Sequence, residues 1–304
     1  MTDPQPEFRP RPGQPDPLAP GLRRLLAPNP SPMTFRGTNT YLLGRRAVAV
    51  IDPGPLSEPH LEAILAALEP GARISHIFVT HAHLDHSPLA RPLAEATGAP
   101  VLAFGGPQSG RSPAMEALAA SGLAGGGEGV DAGFAPDETL PDGAVTTGPD
   151  WQIIAHHTPG HFGNHLSLEW QGQLFSGDLV MGWASSLVSP PDGDVSAFMA
   201  SLDRLGRRRW SRFLPGHGAP VENPAARMAE LASHRRAREQ AILAALTEGA
   251  ATAAGLAARI YTDTPPALLP AATRNVLAHL VDLSQRGVIQ PLGRLAETAR
   301  FQRL

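Results

Sequence analysis

The chain has 304 residues, which is enough length for a large domain plus a small one. Its formal net charge of −3 argues mildly against a protein that is wrapped by nucleic acid. It contains no cysteine, which excludes disulfide bonds and thiolate chemistry, so any metal must bind histidine and carboxylate side chains. It also contains no lysine, which excludes Schiff-base and P-loop chemistry.

The beginning of the chain is rich in proline and lacks the basic start and apolar stretch of a signal peptide. We interpret residues 1–20 as a flexible or loosely docked leader. No run of about 18 apolar residues follows, so we expect a cytoplasmic protein without a membrane span or a membrane partner.

From about Leu22 the sequence alternates between strand and helix patterns. In chain order we predict strands at 40–43 and 47–51, a helix at 58–68 capped by Ser57, a strand at 74–80, a helix at 88–97 and a strand at 101–104. This order is typical of an α/β layered domain. Residues 105–149 are rich in Gly and Pro, and part of this segment is predicted to be a flexible flap or insertion over the site.

The second half continues with strands and then becomes helical. We predict strands at 151–155, 166–170, 174–175 and 213–214, helices at 195–205, 224–246, 252–260 and 267–285, and a short strand at 287–290. The last three helices with a terminal β-ribbon predict a winged-helix-like module. We therefore expect a main domain at 21–222 and a small helical domain at 223–304.

Three histidines and an aspartate lie within six residues directly after the predicted strand at 74–80, namely His81, His83, Asp85 and His86. In an extended segment His81 and His83 point to the same side. Crowding and desolvating these groups would be costly unless a cation organised them. Imidazole and carboxylate together suit Zn, Mn or Fe, so the cluster predicts a metal site at the carboxyl end of a strand.

Three later turns each place one residue of a ligand type after an apolar strand: His161, Asp178 and His217. Each turn contains glycine, and together with the first cluster they predict a single site of seven ligand-type residues. A lone histidine is more often structural, and we interpret the other histidines in that way, with His165 as a candidate for a supporting role. These are His60, His76, His156, His157, His165, His234 and His279.

The motifs resemble those of the metallo-β-lactamase superfamily, whose HxHxDH signature corresponds here to residues 81–86. The resemblance covers roughly residues 30–220 and implies an αββα sandwich of two mixed sheets with helices outside. It implies that one metal binds His81, His83 and His161, and a second binds Asp85, His86 and His217, with Asp178 bridging the two. It also implies that Asp52 orients the ligand loop by hydrogen bonding, although a plain turn residue at the strand end explains Asp52 equally well.

Two further segments are similar to the branch of that superfamily that contains the β-lactamase-like protein 2 endoribonucleases and their bacterial relatives. The opening match is Asn29-Pro30 with GTNTYL at 37–42, and the later match is SHR at 233–235 with REQ at 238–240, leading into a winged-helix tail. Many true β-lactamases of the superfamily use a thiolate in the metal site. The absence of cysteine therefore counts against β-lactam hydrolysis as the physiological task.

The predicted cofactors are two divalent metal ions, expected to be zinc. A water that bridges two such ions is acidified towards a pKa of about 7, so hydroxide is available to attack a carbonyl carbon or a phosphorus. Asp85 is the expected catalytic residue because it places a carboxylate beside that water to handle the proton. No serine is required as a nucleophile.

Two substrate classes remain open, a small ester, thioester or lactone and a single-stranded RNA. RNA would need a basic track, for which 207–209 and 235–238 are candidates, and the chain from Pro220 onward carries ten arginines against seven acidic residues. Trp183 could stack on a base, line an acyl pocket or simply pack. A DNA-binding regulator is disfavoured, because it would not require seven metal ligands. The sequence leaves the oligomeric state open.

Overall fold

The computed structural model describes residues 3–126 and 129–304. Two β-sheets face one another, helices cover their outer faces, and a small third sheet belongs to the C-terminal module. This is the αββα sandwich that the resemblance implies, together with the winged-helix-like module that the sequence pattern predicts.

The first sheet contains seven strands whose spatial order follows the chain: β1 (Asp16–Ala19), β2 (Leu22–Leu26), β3 (Asn39–Leu43), β4 (Ala47–Ile51), β5 (Arg73–Phe78), β6 (Val101–Ala103) and β7 (Glu138–Thr139). Strands β1 to β4 pair antiparallel, whereas β4 to β7 pair in parallel. The parallel part brings the carboxyl ends of β4 and β5 to the same edge, where ligand-type residues follow.

The second sheet contains five strands in the order β12-β11-β10-β9-β8. They are β8 (Val145–Thr147), β9 (Gln152–His157), β10 (Leu166–Trp170), β11 (Gln173–Gly177) and β12 (Arg212–Pro215). Only the β11–β12 pair is parallel among the pairs of this sheet. The carboxyl ends of β11 and β12 therefore lie side by side.

Helices cover both outer faces. They are α1 (Glu58–Ala66) and α2 (Ala90–Thr97) on the first sheet, and α4 (Val195–Gly206) and the first part of α5 (Pro224–Ala245) on the second. The strand pattern explains this layering. In β4, Val48 and Val50 pack towards the helices, while Ala49 and Ile51 pack into the layer between the sheets.

The C-terminal module consists of the end of α5, α6 (Ala253–Ile260), α7 (Leu269–Gln285) and a three-stranded sheet of β13 (Ala251–Thr252), β14 (Ile289–Pro291) and β15 (Arg300–Arg303). Its core is continuous with α3 (Pro113–Ala120), because Met115 and Leu118 are buried against it. Helix α5 serves both parts, since Met228 packs on the second sheet and Ile242 in the module. No helix of the described residues is both long and apolar enough to cross a membrane.

Two segments differ from the sequence interpretation. The stretch 105–149, expected to be irregular, contains α3, β7 and β8. The Pro-rich leader also contributes structure: Phe8 is buried, and residues 16–19 form β1, which pairs with β2. Short elements of two to eight residues surrounded by Gly and Pro leave too little periodicity to be read from sequence. The division of the chain at residues 20 and 222 remains a prediction.

Candidate metal centre

The first part of the site is the loop that follows β5. The loop is fixed by pairing with residues beyond α3: His83 forms a β-bridge with Val130, and the Leu84 amide donates to the carbonyl of Gly129 at 3.0 Å. His81, His83, Asp85 and His86 are all buried. The loop thus carries four ligand-type side chains on a backbone that pairs with residues 129 and 130.

The remaining ligand-type residues come from the second sheet. His161 follows β9, Asp178 directly follows β11, and His217 follows β12. Two glycines make this possible. Gly177 has a φ of +48°, and a Cβ atom at Gly216 would collide with Asp178 Oδ1 and lie 2.6 Å from the ring of His86. The two strand ends can therefore approach the ligand loop closely.

All seven predicted residues meet in two adjacent groups, His81, His83 and His161 in one, and Asp85, His86, Asp178 and His217 in the other. Within the first group, His83 Nδ1 lies 3.0 Å from both His81 Nε2 and His161 Nε2. Within the second, the Nε2 atoms of His86 and His217 lie 3.2 Å apart. Asp178 lies between the groups: its Oδ2 is 3.3 Å from His217 Nε2 and 3.8 Å from His161 Nε2. This arrangement is compatible with Asp178 bridging two ions.

The hydrogen bonds of the imidazole rings show which nitrogens face the site. His161 Nδ1 donates to the carbonyl of Leu187 at 2.7 Å, and His217 Nδ1 donates to the carbonyl of Gly37 at 3.2 Å, because a carbonyl can only accept. His86 Nδ1 likewise donates to a carboxylate of Asp52 at 2.9 Å. In each of these three rings Nε2 is therefore the nitrogen that faces the other ligands and can bind an ion.

These contacts fit a pair of bound cations. Lone pairs facing one another at about 3 Å repel unless a cation or a proton lies between them, and the Oδ1 atoms of Asp85 and Asp178 are buried without a hydrogen-bond partner among the described residues. A donor set of imidazole nitrogens and carboxylate oxygens, without sulfur, is typical of a binuclear site. It does not distinguish zinc from iron or manganese.

Protons take the place of cations in the second group when no ion is bound. Burial alone would lower the pKa of His217, but the carboxylates of Asp178 and Asp85 outweigh it and raise that pKa to about 10. His86 behaves in the same way, and its pKa is held well above the usual value against the effect of burial. In the first group burial dominates, and the pKa of His83 falls to about 3. The first group is thus a cage of neutral imidazole rings, and in the second two protonated imidazole rings balance two carboxylates.

Asp52 joins the ligand loop to the end of β4. Its Oδ1 accepts from the Thr80 amide at 2.7 Å, and its Oδ2 accepts from the Thr80 hydroxyl at 2.8 Å as well as from His86. Because that hydroxyl donates to Asp52, it accepts from His81 Nδ1 at 3.0 Å. One buried carboxylate thereby sets the orientation of a histidine in each group, which is the contact that the orienting role requires.

His165 supports the site from the second sheet. Its Nε2 accepts from the Asp178 amide at 3.1 Å, so its Nδ1 donates to the Thr158 hydroxyl at 2.9 Å. Burial lowers the pKa of His165 well below the usual value, which keeps the ring neutral and able to accept. The other histidines interpreted as structural lie outside both ligand groups.

An apolar crevice of about 240 Å³ opens over the two groups. One wall comes from the main domain, with Met181, Trp183 and Leu187. The facing wall comes from the C-terminal module, with Tyr261 and Leu268 among its residues. Sequence reasoning missed this second wall, because no motif links residues so far from the ligands in the chain to the site.

Trp183 packs, as one of its interpretations expects, and it also borders the crevice. Its ring stacks on Phe35 with the centroids 5.0 Å apart. The basic segments, in contrast, do not border the crevice. Arg207 pairs with Asp203 at 2.6 Å, and Arg208 pairs with Glu169 at 2.7 Å.

Comparison with known families agrees with this geometry. The profile of the family described as Metallo-beta-lactamase superfamily matches residues 33–217 of the chain. A second profile, described as Beta-lactamase associated winged helix domain, matches residues 252–296. The first match includes all seven ligand-type residues, and the second covers most of the C-terminal module.

Individual relatives span nearly the whole chain. A Beta-lactamase-like protein 2 homolog from Caenorhabditis elegans is 30% identical over 286 residues, covering 90% of this chain and 87% of the relative. An Atrochrysone carboxyl ACP thioesterase from Aspergillus fumigatus is 28% identical over 270 residues, covering 82% of this chain and 76% of the relative.

Solved structures are similar over the same length. A beta-lactamase domain protein from Burkholderia ambifaria superposes with a TM-score of 0.80 at 24% identity, covering 98% of this chain and 96% of that one. A metallo-beta-lactamase family protein from Thermus thermophilus superposes with a TM-score of 0.75 at 26% identity, covering 95% of this chain and 100% of that one. The sandwich and the C-terminal module together are therefore a shared fold.

Proposed function

Because this chain belongs to the metallo-beta-lactamase superfamily, we propose that it is a binuclear metal-dependent hydrolase of a small ester, thioester or lactone. The observation that carries the proposal is the chemistry of the crevice. Among the described residues that line it, the only charged side chains other than histidine are Asp85 and Asp178, and no arginine borders it. Apolar walls that carry no basic side chain suit an uncharged acyl group.

The ligand groups supply the reaction centre. Two divalent ions bound there would act as Lewis acids that polarise the substrate carbonyl and acidify water near neutral pH. We assign to Asp85 the role of accepting the proton from that water. In support of this role, its Oδ1 has no hydrogen-bond partner among the described residues, and its Oδ2 lies 3.1 Å from His217 Nε2. The same carboxyl can then give the proton to the leaving alkoxide or thiolate.

The crevice walls would determine the substrate. Met181 and Leu187 on one side and Leu268 on the other offer contacts to an acyl chain while excluding water. Helix α7 contributes both wall residues and a face that is buried in the module. This use of α7 supports a substrate-shaping role for the module over DNA recognition.

A thioester is the member of this class with additional support. The relative from Aspergillus fumigatus is named as a thioesterase of an acyl carrier protein. The phosphodiester alternative lacks a comparable feature: Arg208 is neutralised by Glu169, and Arg235 is buried. A cleft that binds an RNA backbone should present unpaired basic side chains beside the metal centre.

A substrate panel tests the proposal. Metal-loaded protein is assayed against a short-chain acyl thioester, an aryl ester, a lactone, a β-lactam and single-stranded RNA. We expect turnover of the acyl substrates that is lost in Asp85→Ala. RNA cleavage that exceeds acyl hydrolysis and disappears in the same variant would contradict the proposal.

A second variant tests whether the crevice wall that contains Leu268 contacts the acyl chain of the substrate. Leu268→Asp places a charge on the apolar wall, and we expect KM for the acyl substrate to rise about tenfold or more, because a carboxylate beside the acyl chain must be desolvated. Leu292→Asp is the matched control, since Leu292 is exposed and does not line the crevice. Equal KM values for the two variants would contradict the assignment of this wall.

A further inference from the structure

A second cavity, of about 410 Å³, lies between the main domain and the C-terminal module. It is bounded by the beginning of α4, the middle of α5 and the second half of α7. None of its lining residues is shared with the crevice. Its volume far exceeds the roughly 30 Å³ that one water molecule occupies in the liquid, so it has room for a small solute.

The inner wall of this cavity carries a buried cation without a counter-ion. Arg235 is 2% exposed, and among the described residues no carboxylate forms an ion pair with it. Its Nη1 donates to Asn275 Oδ1 at 2.8 Å and its Nη2 to the carbonyl of Ser186, but its Nε has no partner. A buried guanidinium with an unused donor is costly unless an anion completes it.

His279 adds a second unsatisfied group to the same wall. It is 1% exposed, and neither ring nitrogen has a hydrogen-bond partner among the described residues. Burial and the nearby guanidinium of Arg235 lower its pKa to about 3, so the ring is neutral and offers one N–H donor and one acceptor. Two residues that line one cavity therefore each carry a buried donor that lacks an acceptor.

The acidic residues of the cavity do not act as counter-ions to Arg235. Arg286 engages both of them, lying 2.7 Å from Glu239 and 3.1 Å from Asp282. The cation at the inner end also disfavours a metal ion. The unused binding capacity is thus for an acceptor that carries negative charge.

We propose that this cavity binds a small oxyanion, a phosphate or carboxylate group, that accepts hydrogen bonds from Arg235 Nε and from the His279 ring. The oxyanion supplies the missing counter-charge to Arg235 and an acceptor to each unsatisfied donor. The remaining His279 nitrogen favours an anion that also carries a hydroxyl, such as hydrogen phosphate. The site is independent of the substrate proposed for the metal centre.

Titration calorimetry with the metal-loaded protein tests the site, with inorganic phosphate in one series and acetate in another. The decisive variant is His279→Leu, which removes a donor that has no partner in the protein. Ser196→Trp is a second variant at the mouth of the cavity, where Ser196 is exposed. His234→Leu is the matched control, because His234 lies on α5 outside the cavity lining.

All four proteins keep the metal centre, so phosphate binding there contributes equally to every titration. Binding in the cavity is therefore measured as the difference between the titrations. We expect at least one anion to bind the cavity in the wild type and in His234→Leu. Its affinity should be about tenfold or more weaker in His279→Leu and in Ser196→Trp, which is the size expected for the loss of a hydrogen bond to a charged group. Superimposable titrations of the wild type and His279→Leu in both series would overturn the proposal. If His279→Leu does not fold, an unchanged titration of Ser196→Trp would overturn it.

Discussion

Asp52→Asn is the substitution whose consequence follows most directly from the hydrogen bonds of the site. The two side chains have the same shape, and asparagine tolerates the left-handed backbone at this position, where φ is +51°. The substitution therefore changes charge and hydrogen bonding with little steric effect.

The hydrogen bonds determine how large the effect should be. If the asparagine oxygen keeps the 2.7 Å bond from the Thr80 amide, its NH₂ group faces His86 Nδ1, which must then accept. His86 then holds its proton on Nε2, the nitrogen that lies 3.2 Å from His217 Nε2 in the second group. If the amide is flipped, its NH₂ group faces the Thr80 amide instead, and a buried donor loses its acceptor. Loss of such a supporting contact to a metal ligand typically costs about 10- to 100-fold in metal affinity, or roughly 1.4 to 2.7 kcal/mol.

Competition with a chromophoric chelator measures both metal equivalents. We expect Asp52→Asn to weaken one equivalent by about 10- to 100-fold and to affect the other less, because Asp52 contacts His86 directly and His81 only through Thr80. Asp137→Asn is the matched control, since Asp137 also accepts from a backbone amide in the first sheet, at 2.8 Å from Val101 N, but lies outside both ligand groups. Unchanged affinities for both equivalents in Asp52→Asn would refute the orienting role.

Three further predictions concern protons and packing. Metal loading at pH 7 to 8 should release about two protons per chain, from His86 and His217, whose pKa values are raised in the ion-free protein; a pH-stat titration with no release would contradict this. The folded-state pKa of His279 is lowered to about 3, so the unfolded chain binds its proton first, and the free energy of unfolding should fall by up to about 1.4 kcal/mol per unit as the pH drops below about 6.5. Denaturant unfolding should show a shallower decrease for His279→Leu, and parallel profiles would be inconsistent with the depressed pKa. Gly216→Ala should weaken metal binding about tenfold or more, because its Cβ would collide with Asp178. A wild-type affinity in chelator competition would contradict this prediction and would mean that the loop accommodates the added Cβ atom.

The sequence predicts most of the sandwich because its strands and helices keep a regular periodicity. The strand at 166–170 and the N-cap Ser57 are both confirmed, and Gly98 ends α2 in the left-handed conformation as its position indicates. Boundaries shift by a few residues, as in α1, which ends at Ala66 instead of residue 68. Local patterns of this kind depend on neighbours in the chain and need no tertiary information.

The features that sequence reasoning missed depend on contacts between distant segments. Helix α3 is only eight residues long, and its Met115 and Leu118 are buried by the C-terminal module. Tyr261 and Leu268 belong to the crevice only because the module packs over the metal centre. Such placements follow from tertiary packing, which overrides local preference in short segments.

The candidate site also combines features that the local sequence reveals with features that depend on tertiary contacts. The ligand-type residues can be recognised because histidine and aspartate recur after apolar strands, and the structure brings all seven together. Their supporting contacts are less visible in the sequence. The acceptors of His161 and His217 are the backbone carbonyls of Leu187 and Gly37, and any residue can supply a carbonyl. Composition therefore indicates the donor set, and the fold determines its orientation.

The central claim is that two divalent ions held by the seven residues carry the reaction, and metal analysis coupled to activity tests it most directly. Purified protein is analysed by plasma mass spectrometry, assayed on a thioester, stripped with a chelator and reloaded with zinc, manganese or iron. We expect about two equivalents of metal per chain, activity that disappears on stripping, and recovery with at least one of these metals. Full activity in protein that contains no transition metal would contradict it.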